Sequence, residues 1–512
     1  MFFTAEGRKG KRRSSADVVL LHFFCVFLCG PLRLDFQREP IGQPPATAQQ
    51  LSPGAARAYA EVLRLKIQPA RQLLRAEPPA APGTLLVADC ADFAELVISQ
   101  DHTRYDAVVE TQDARLKTLE NAPAGALRDY ARAEIRLHQA VLQVAFGHEV
   151  VGAWNFRQTY QQVQAVAKKY PDYLPARKTV GLLQFGIGCL PAGYGWFLRL
   201  IGLSGNVEAG LRNVGLAAAR PHDFQTESRI FLALIRETYY QRDQEAAVLI
   251  ETLRREQPDN LLFSFLAISY ARRQHHAEAA VAAYRARPTG PAYLPVPYLR
   301  HLAADLLLYQ GQYAAAEAEN RQFLAEYRGR HYRKDAAFKL YLAAWLGGAP
   351  AARAAAYRRQ IARPGPTDVE EDAYAQRFYE TGQPLHPVLT RARLQLDGGY
   401  YRLALNTLRG FQLTPALPRR DQIEEPYRRA RAYHGLGRLD SARLSYERAV
   451  AVGGSAPYYF APQAALQLGY FAQTAGQPAR ARQYYELVLQ SPRHEYKNST
   501  DAKAKVALRT LR

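Results

Sequence analysis

The sequence predicts an all-α protein made of stacked helix–turn–helix units. Three observations carry this reading. Runs that alternate β-branched and polar residues are nearly absent, while apolar positions recur at three and four. Alanine, leucine, arginine, glutamine and tyrosine dominate the chain. A small residue followed four positions later by a bulky one returns through the C-terminal half at nearly constant spacing.

The 512 residues, 48% of them hydrophobic, supply a continuous core, and the composition is not that of a disordered chain. At the N-terminus the basic run GRKGKRRSS precedes VVLLHFFCVFLCG, Val18 to Gly30, apolar except for His22. As a helix this run spans about 20 Å, short of a ~30 Å hydrocarbon core. Charge followed by a short apolar run is the pattern of a secretory signal. Residues 1–30 are therefore expected to be a signal peptide or membrane-proximal segment. The protein is expected to be exported. Asp17 interrupts the pattern, and Ala46-Thr47-Ala48, which fits a cleavage site, lies well downstream. A buried helix and a cytoplasmic protein stay open as the alternative. Cys29, preceded by Phe27 and Leu28, lacks the small residues of a lipoprotein signal. Residues 31–54, with five prolines, read as a linker.

Residues 55–220 read as degenerate helical hairpins. RQLLRAE, FAELVIS and RLKTLENAPAGALRDYARAEIRL are helical patterns. RLHQAVLQVAFGHEVVGAWNFRQTY carries Ala140, Gly147, Gly152 and Phe156, with Pro171 closing the second helix. A glycine-rich corner, 185–211, holds seven glycines in FGIGCLPAGYGWFLRLIGLSGNVEAGL. Gly186-x-Gly188 begins like a dinucleotide fingerprint, but the segment before it, PARKTVGLLQ, reads as helix where that motif needs a strand. Two readings remain. GYGWFLRLIGL suits a membrane interface. A corner between packed helices suits it better: a helix Ala176–Cys189, a turn Pro191–Gly195, a short helix Trp196–Leu203, then Ser204-Gly205-Asn206 capping the next helix. Glycine in such a corner permits positive φ and close helix crossing.

Residues 221–512 hold the regular repeats. Ala246 precedes Ile250, and Ala280 precedes Tyr284, 34 residues further on. Gly311 and Tyr313 lead to Ala316, and the same spacing points to Ala352. Gly399, Tyr401, Ala404 and Leu408 follow; then Ala430, Tyr433, Gly437, Ala442, Tyr446 and Ala449; then Leu468, Gly469, Gly476, Ala481 and Tyr485. A small residue on each helix lets the pair approach, a large one fills the groove, and glycine makes the turn.

This pattern resembles the tetratricopeptide repeat, a helix–turn–helix unit of about 34 residues. The resemblance covers Arg229 to about Val488 in seven units, loosened between Pro364 and Thr390. It implies a right-handed α-solenoid, a non-catalytic scaffold or adaptor for protein partners, and no cofactor. The stretch FGIG…IGLSGNVEAGL is similar to the glycine-rich hairpin of a eukaryotic tetratricopeptide family tied to the mitochondrial outer membrane and lipid-rich compartments. It is also similar to exported tetratricopeptide proteins of the Bacteroidota, a likeness that implies the periplasm or envelope of a Gram-negative bacterium. The eukaryotic family has an acidic residue where Asn206 stands. These likenesses imply a membrane-surface or lipid-associated role as the alternative.

The net charge of +20 suits an anionic partner or a merely solvated basic surface. No nucleic-acid reading element accompanies it. The four cysteines form no CxxC pair, and a Cys90–Cys189 bridge is possible. No catalytic constellation is visible. His148-Glu149 lacks the second histidine of HExxH, adjacent His275-His276 point apart on a helix, and GLSGN lacks the spacing of a nucleophile elbow. Glu370-Glu371-Asp372 and Glu424-Glu425 read as solvated helix starts in polar connections. Neither metal nor cofactor is expected.

Binding is the positive expectation. In a solenoid the first helix of each unit lines the groove. The register puts Phe265, Arg272, Arg273, Tyr298, His301, Arg393, Tyr427, Arg431, His434 and Tyr470 there. Arginine with tyrosine suits an acidic protein or peptide ligand, through forked contacts to carboxylates and aromatic ledges. An ordinary solvated surface is the alternative. The signal-peptide expectation has its own test. Protein recovered from its native host should have an intact mass that lacks Val18 to Gly30, and a soluble form retaining residues 1–30 would contradict it.

Overall fold

The computed structural model describes residues 50–189, 202–240, 243–494 and 496–511. Among them the chain is all-α, with 24 α-helices, a 3-10 turn at His102–Arg104 and no strand. The expected signal, the turn Pro191–Gly195 and most of the short helix Trp196–Leu203 lie outside the described residues.

The N-terminal half comprises α1 (Pro53–Leu63), α2 (Ile67–Leu74), α3 (Pro82–Ser99), α4 (Tyr105–Glu120), α5 (Ala126–Ala145), α6 (Glu149–Lys169), α7 (Leu174–Gly188) and α8 (Val207–Ala219). Then come α9 (Gln225–Tyr240), α10 (Asp243–Glu256), α11 (Leu261–Arg273), α12 (Ala277–Ala286), α13 (Tyr298–Tyr309), α14 (Tyr313–Glu326), α15 (Arg333–Leu346) and α16 (Ala351–Ile361). The last third holds α17 (Glu370–Thr381), α18 (Pro387–Asp397), α19 (Tyr401–Arg409), α20 (Arg419–Gly435), α21 (Leu439–Gly453), α22 (Phe460–Thr474), α23 (Pro478–Gln490) and α24 (Lys497–Thr510).

Local chemistry places the starts. Ser52, Asn206 and Asn260 accept the N–H of Ala55, Ala209 and Phe263 at 3.1, 2.9 and 3.1 Å, satisfying amides that a helix start leaves orphaned. Asn206 thus caps α8, as expected. Proline opens α1, α3, α7, α18 and α23, where its missing N–H costs nothing.

One device recurs at the turns. Gly147, Gly311, Gly399, Gly437 and Gly476 have positive φ, and His275 takes the same conformation at φ 57°. Five residues after each comes the fourth residue of the following helix: Gly152, Ala316, Ala404, Ala442, Ala481 and Ala280. All of these are buried. A side chain larger than methyl has no room there. A Cβ added at Gly152 would lie 2.4 Å from Val144, and one at Gly469, on the partner helix α22, would lie 2.3 Å from the buried Tyr485 ring. The spacing expectation fails once. Ala352 is exposed and Ala354 is the buried alanine of α16, because the turn after Gly348 carries one more residue before Pro350 ends it.

Glycine also explains the contact of α7 with α8. A Cβ at Gly210 would lie 2.5 Å from the Phe185 nitrogen, and one at Gly205 would lie 2.0 Å from that of Gly188. The two helices cross backbone to backbone, which only glycine allows.

Consecutive helices pack on one another, and first helices meet first helices: α11 with α13, α13 with α15, α18 with α20, α20 with α22, α22 with α24. Two features depart from simple stacking. α17 is followed by no paired helix, and α18 packs against α13. The N-terminal helices also reach across the expected boundary near residue 220. Leu51 N–H donates to Asp223 at 2.8 Å, Lys66 pairs with Asp259 at 2.9 Å, and Leu294 N–H donates to the Leu65 carbonyl at 2.7 Å. Cys90 and Cys189 are both free thiols, so the possible bridge between them is not formed. Among the described residues, no helix is long and apolar enough to cross a membrane.

The close-approach rule predicts that Ala442→Leu overpacks the α20–α21 contact and costs about 1–3 kcal/mol. Thermal unfolding should show a clearly lower Tm. Leu444→Ala, two residues on at 60% exposure, should leave Tm nearly unchanged.

Candidate binding face

Half of the residues expected in the groove fall into two charged clusters on the first helices. The first cluster spans α11, α13 and α15. Arg272 donates to Asp305 at 3.0 Å. Lys339 reaches Asp305 at 2.6 Å and Asp335 at 2.5 Å. His301 sits between Asn320, 2.7 Å from Nδ1, and Asp335, 2.9 Å from Nε2. Expected on a surface, His301 is instead 1% exposed and held from both sides. Burial works against ionising Asp335, but Lys339 and His301 outweigh it and hold the carboxyl well below the usual range. Burial likewise opposes charge on Lys339, and Asp305 and Asp335 overcome it.

The second cluster spans α17, α18, α20 and the start of α22. Arg431 pairs with Asp397 at 3.0 Å. Asp397 is held low against burial by Arg431, Arg393 and Arg428 together. Arg393 donates to the Tyr374 hydroxyl at 2.9 Å, and its guanidinium lies 5.6 Å from that ring and 5.9 Å from Phe338. Arg428, 1% exposed, forks onto Glu424 at 3.0 and 2.8 Å and donates to Tyr459 at 2.9 Å. Arg420 takes the other Glu424 oxygen at 2.8 Å. Tyr427 is buried against Tyr446, Tyr459 and Phe460.

The remaining expected residues join neither cluster. His434 lies 3.3 Å from the Tyr446 hydroxyl and edge-on to Phe471, and burial lowers its pKa. Tyr470 packs edge-on against Tyr485 at 5.8 Å. Arg273 lies half-buried in the last turn of α11. Phe265 packs into the apolar cluster around Ile268, and Tyr298 against Tyr332.

The polar pairs between first helices keep repeat register. Arg272 and Asp305 are 33 residues apart, His301 and Asp335 are 34, and Asp397 and Arg431 are 34. One repeat carries the partner of a polar group on the next, which ties α11 to α13, α13 to α15 and α18 to α20. Glu424 and Glu425 are 2% and 4% exposed inside α20, which corrects their reading as a solvated connection. Asp372 is 0% exposed and accepts the N–H of Tyr332 at 2.5 Å and of Asp335 at 2.9 Å, so α17 caps α15. The acidic partners Asp305, Asp335, Asp397 and Glu424 were missed in the sequence. Stepping one repeat from each arginine finds the first and third.

A separate buried network sits in the N-terminal half. Lys178, 1% exposed, donates to Glu134 at 2.8 Å and Glu227 at 3.1 Å, and Thr179 donates to Glu134 at 2.7 Å. Tyr59 donates to Glu227 at 2.9 Å, and His138 meets Asp89 at 2.7 Å. These partners lie 44 to 168 residues apart and share no period, so periodicity gave no signal for them. On the repeats, a groove of about 420 Å³ runs along α10, α11 and α12, floored by alanines and edged by Glu251 and Arg254. It holds none of the expected binding residues.

No protein-family model matches the chain, and no curated protein matches it. The geometry of the two clusters therefore carries the functional reading by itself.

Asp372 generates a prediction. Burial and the nearby Asp335 carboxylate outweigh its backbone hydrogen bonds and push its pKa up to about 7. A carboxyl raised on folding binds its proton more tightly in the folded chain. Its contribution to stability is full below the unfolded value near 4 and is lost as pH rises through about 7. The stability of the natural chain relative to Asp372→Asn should therefore improve between pH 8 and pH 5, by on the order of 2 kcal/mol. Denaturant midpoints at both pH values check this, and an unchanged difference would contradict it.

Proposed function

We propose that the chain is a non-catalytic protein-interaction scaffold, a right-handed α-solenoid of tetratricopeptide type that acts outside the cytoplasm. Its first helices present arginine and tyrosine to an acidic protein or peptide. The observation that carries this is the repeat-register set of polar pairs, the ion pairs Arg272–Asp305 and Asp397–Arg431 and the hydrogen bond His301–Asp335. Such a set aligns one face of successive hairpins. Around Asp397, Asp421 and Glu424 the face holds Arg393, Arg420, Arg428 and Arg431, four cations against three carboxylates, walled by Tyr374, Tyr427 and Tyr459. Surplus guanidinium beside aromatic rings favours carboxylate ligands. The N-terminal basic and apolar run supports export.

One observation favours a second reading. Val150, Val151 and Trp154 are 85%, 54% and 52% exposed on one side of α6, with Arg157 5.0 Å from the Trp154 ring. Valine, tryptophan and arginine together suit a lipid interface.

A panel of acidic peptides titrated into the full chain, beside anionic vesicles in a sedimentation assay, separates the two. The scaffold reading expects peptide binding that weakens with salt and no pelleting with vesicles. Pelleting without peptide binding would overturn it in favour of the lipid surface.

A further inference from the structure

The charges of the second cluster can be followed to their partners. Arg428 pairs with Glu424 at 2.8 Å, and Arg420 reaches Glu424 at 2.8 Å and Asp421 at 3.5 Å. Arg431 takes Asp397 at 3.0 Å. Three carboxylates are thus matched to three arginines. Arg393 is the fourth, and among the described residues no carboxylate lies within ion-pair distance of it. Asp397, one turn further along α18, lies within its electrostatic reach but bonds to Arg431.

The hydrogen bonds of Arg393 are as incomplete as its charge balance. A guanidinium carries five N–H donors. One of them, on Nη1, goes to the Tyr374 hydroxyl at 2.9 Å. Nε is buried without an acceptor, and the other Nη hydrogens have none among the described residues. Nε is sealed in, but the Nη2 end is not. The Tyr374 hydroxyl accepts from Arg393, and its own hydrogen has no acceptor among the described residues.

The side chain is also held in place. Its guanidinium lies 5.6 Å from the Tyr374 ring and 5.9 Å from the Phe338 ring. Those rings pack on each other edge to face at 5.6 Å, and Phe338 is buried in α15. Arg393 and Tyr374 are themselves only half-buried. Their polar ends therefore form a fixed corner that offers donors alone and carries one unmatched positive charge. Such a corner suits a group that only accepts, which an ionised carboxylate does. A carboxylate also brings the single negative charge that balances the surplus, whereas a phosphate monoester brings about two. A guanidinium already fixed by rings loses little freedom when it binds.

We propose that the Arg393–Tyr374 corner, where α15, α17 and α18 meet, is the anchor of the binding face and takes one carboxylate side chain of an acidic peptide. This rests on the scaffold reading above and gives it specificity. Arg393 Nη2 and the Tyr374 O–H donate to the ligand carboxylate, while Arg420, Arg428 and Arg431 stay on their own carboxylates and shape the face around it.

The test uses the full chain and two labelled probes with blocked ends, hexaglutamate and hexaglutamine. The natural chain should prefer hexaglutamate by at least about tenfold, the usual weight of a charge-assisted hydrogen bond. Arg393→Gln should remove most of that preference. Tyr374→Phe keeps the ring on Phe338, removes only the donor, and should lower the preference about threefold. Arg480→Gln is the control for general charge, since Arg480 meets Glu447 at 3.1 Å on the exposed side of α23; it should leave the preference nearly unchanged. Circular dichroism and Tm establish that each variant is folded, and if Arg393→Gln is not, Tyr374→Phe decides alone. A preference that survives these substitutions, or that falls equally with Arg480→Gln, would overturn the anchor and leave the scaffold reading standing. If the natural chain binds no hexaglutamate, both fall.

Discussion

The structure depends on one steric constraint: the fourth residue of each second helix must be small. Ala280, Ala316, Ala404, Ala442 and Ala481 meet it with a methyl group and Gly152 with none. The left-handed turn residue five positions earlier sets the helix start, and with it which residue faces the partner. Once the two helices of a hairpin are this close, a tyrosine such as Tyr446 or Tyr485 fills the remaining groove and is fully buried. The interior is then close-packed, and a one-methylene change is felt. Spacing between hairpins follows from the same contact, because each second helix also carries the next first helix.

That regular spacing is what lets charges pair from one hairpin to the next. Arg272, Asp305 and Lys339 form a chain across three first helices, and Asp397 and Arg431 repeat the arrangement further on. Partly buried pairs of this kind contribute little net stability, since desolvation offsets much of the attraction. Breaking one is costly, because it leaves a charge without its partner. The pairs therefore act on register: a slip of one residue between hairpins would strand several charges at once. They also divide the arginines by role. Arg272 and Arg431 are engaged in structure. Arg393 instead donates to a hydroxyl, that of Tyr374 on α17.

Much of the fold was legible in the sequence, because small-to-large spacing reports directly on helix contact. Ala442 with Tyr446 and Ala481 with Tyr485 needed only that rule. The rule slipped at Ala352 because a turn can gain a residue without disturbing either helix, and Ala354 then takes the buried place. The candidate face was legible in part. Arg393, Tyr427 and Arg431 are brought together, but His301 was expected at a surface and lies in the core. Polarity alone does not separate a solvated histidine from one satisfied by Asn320 and Asp335. Glu424 misled for the same reason, since its partners Arg420 and Arg428 flank it on its own helix. The Lys178 network was invisible because its members come from α1, α5, α7 and α9 with no common period.

The central claim is that charges one repeat apart tie successive first helices together. A double-mutant cycle on Asp397 and Arg431, read by denaturant unfolding, tests it most directly. The account predicts a coupling of about 0.5–3 kcal/mol for this pair. It predicts almost none for Asp440 and Arg443, a pair 4.0 Å apart in which Asp440 is 98% exposed. Equal, near-zero coupling in both cycles would contradict it.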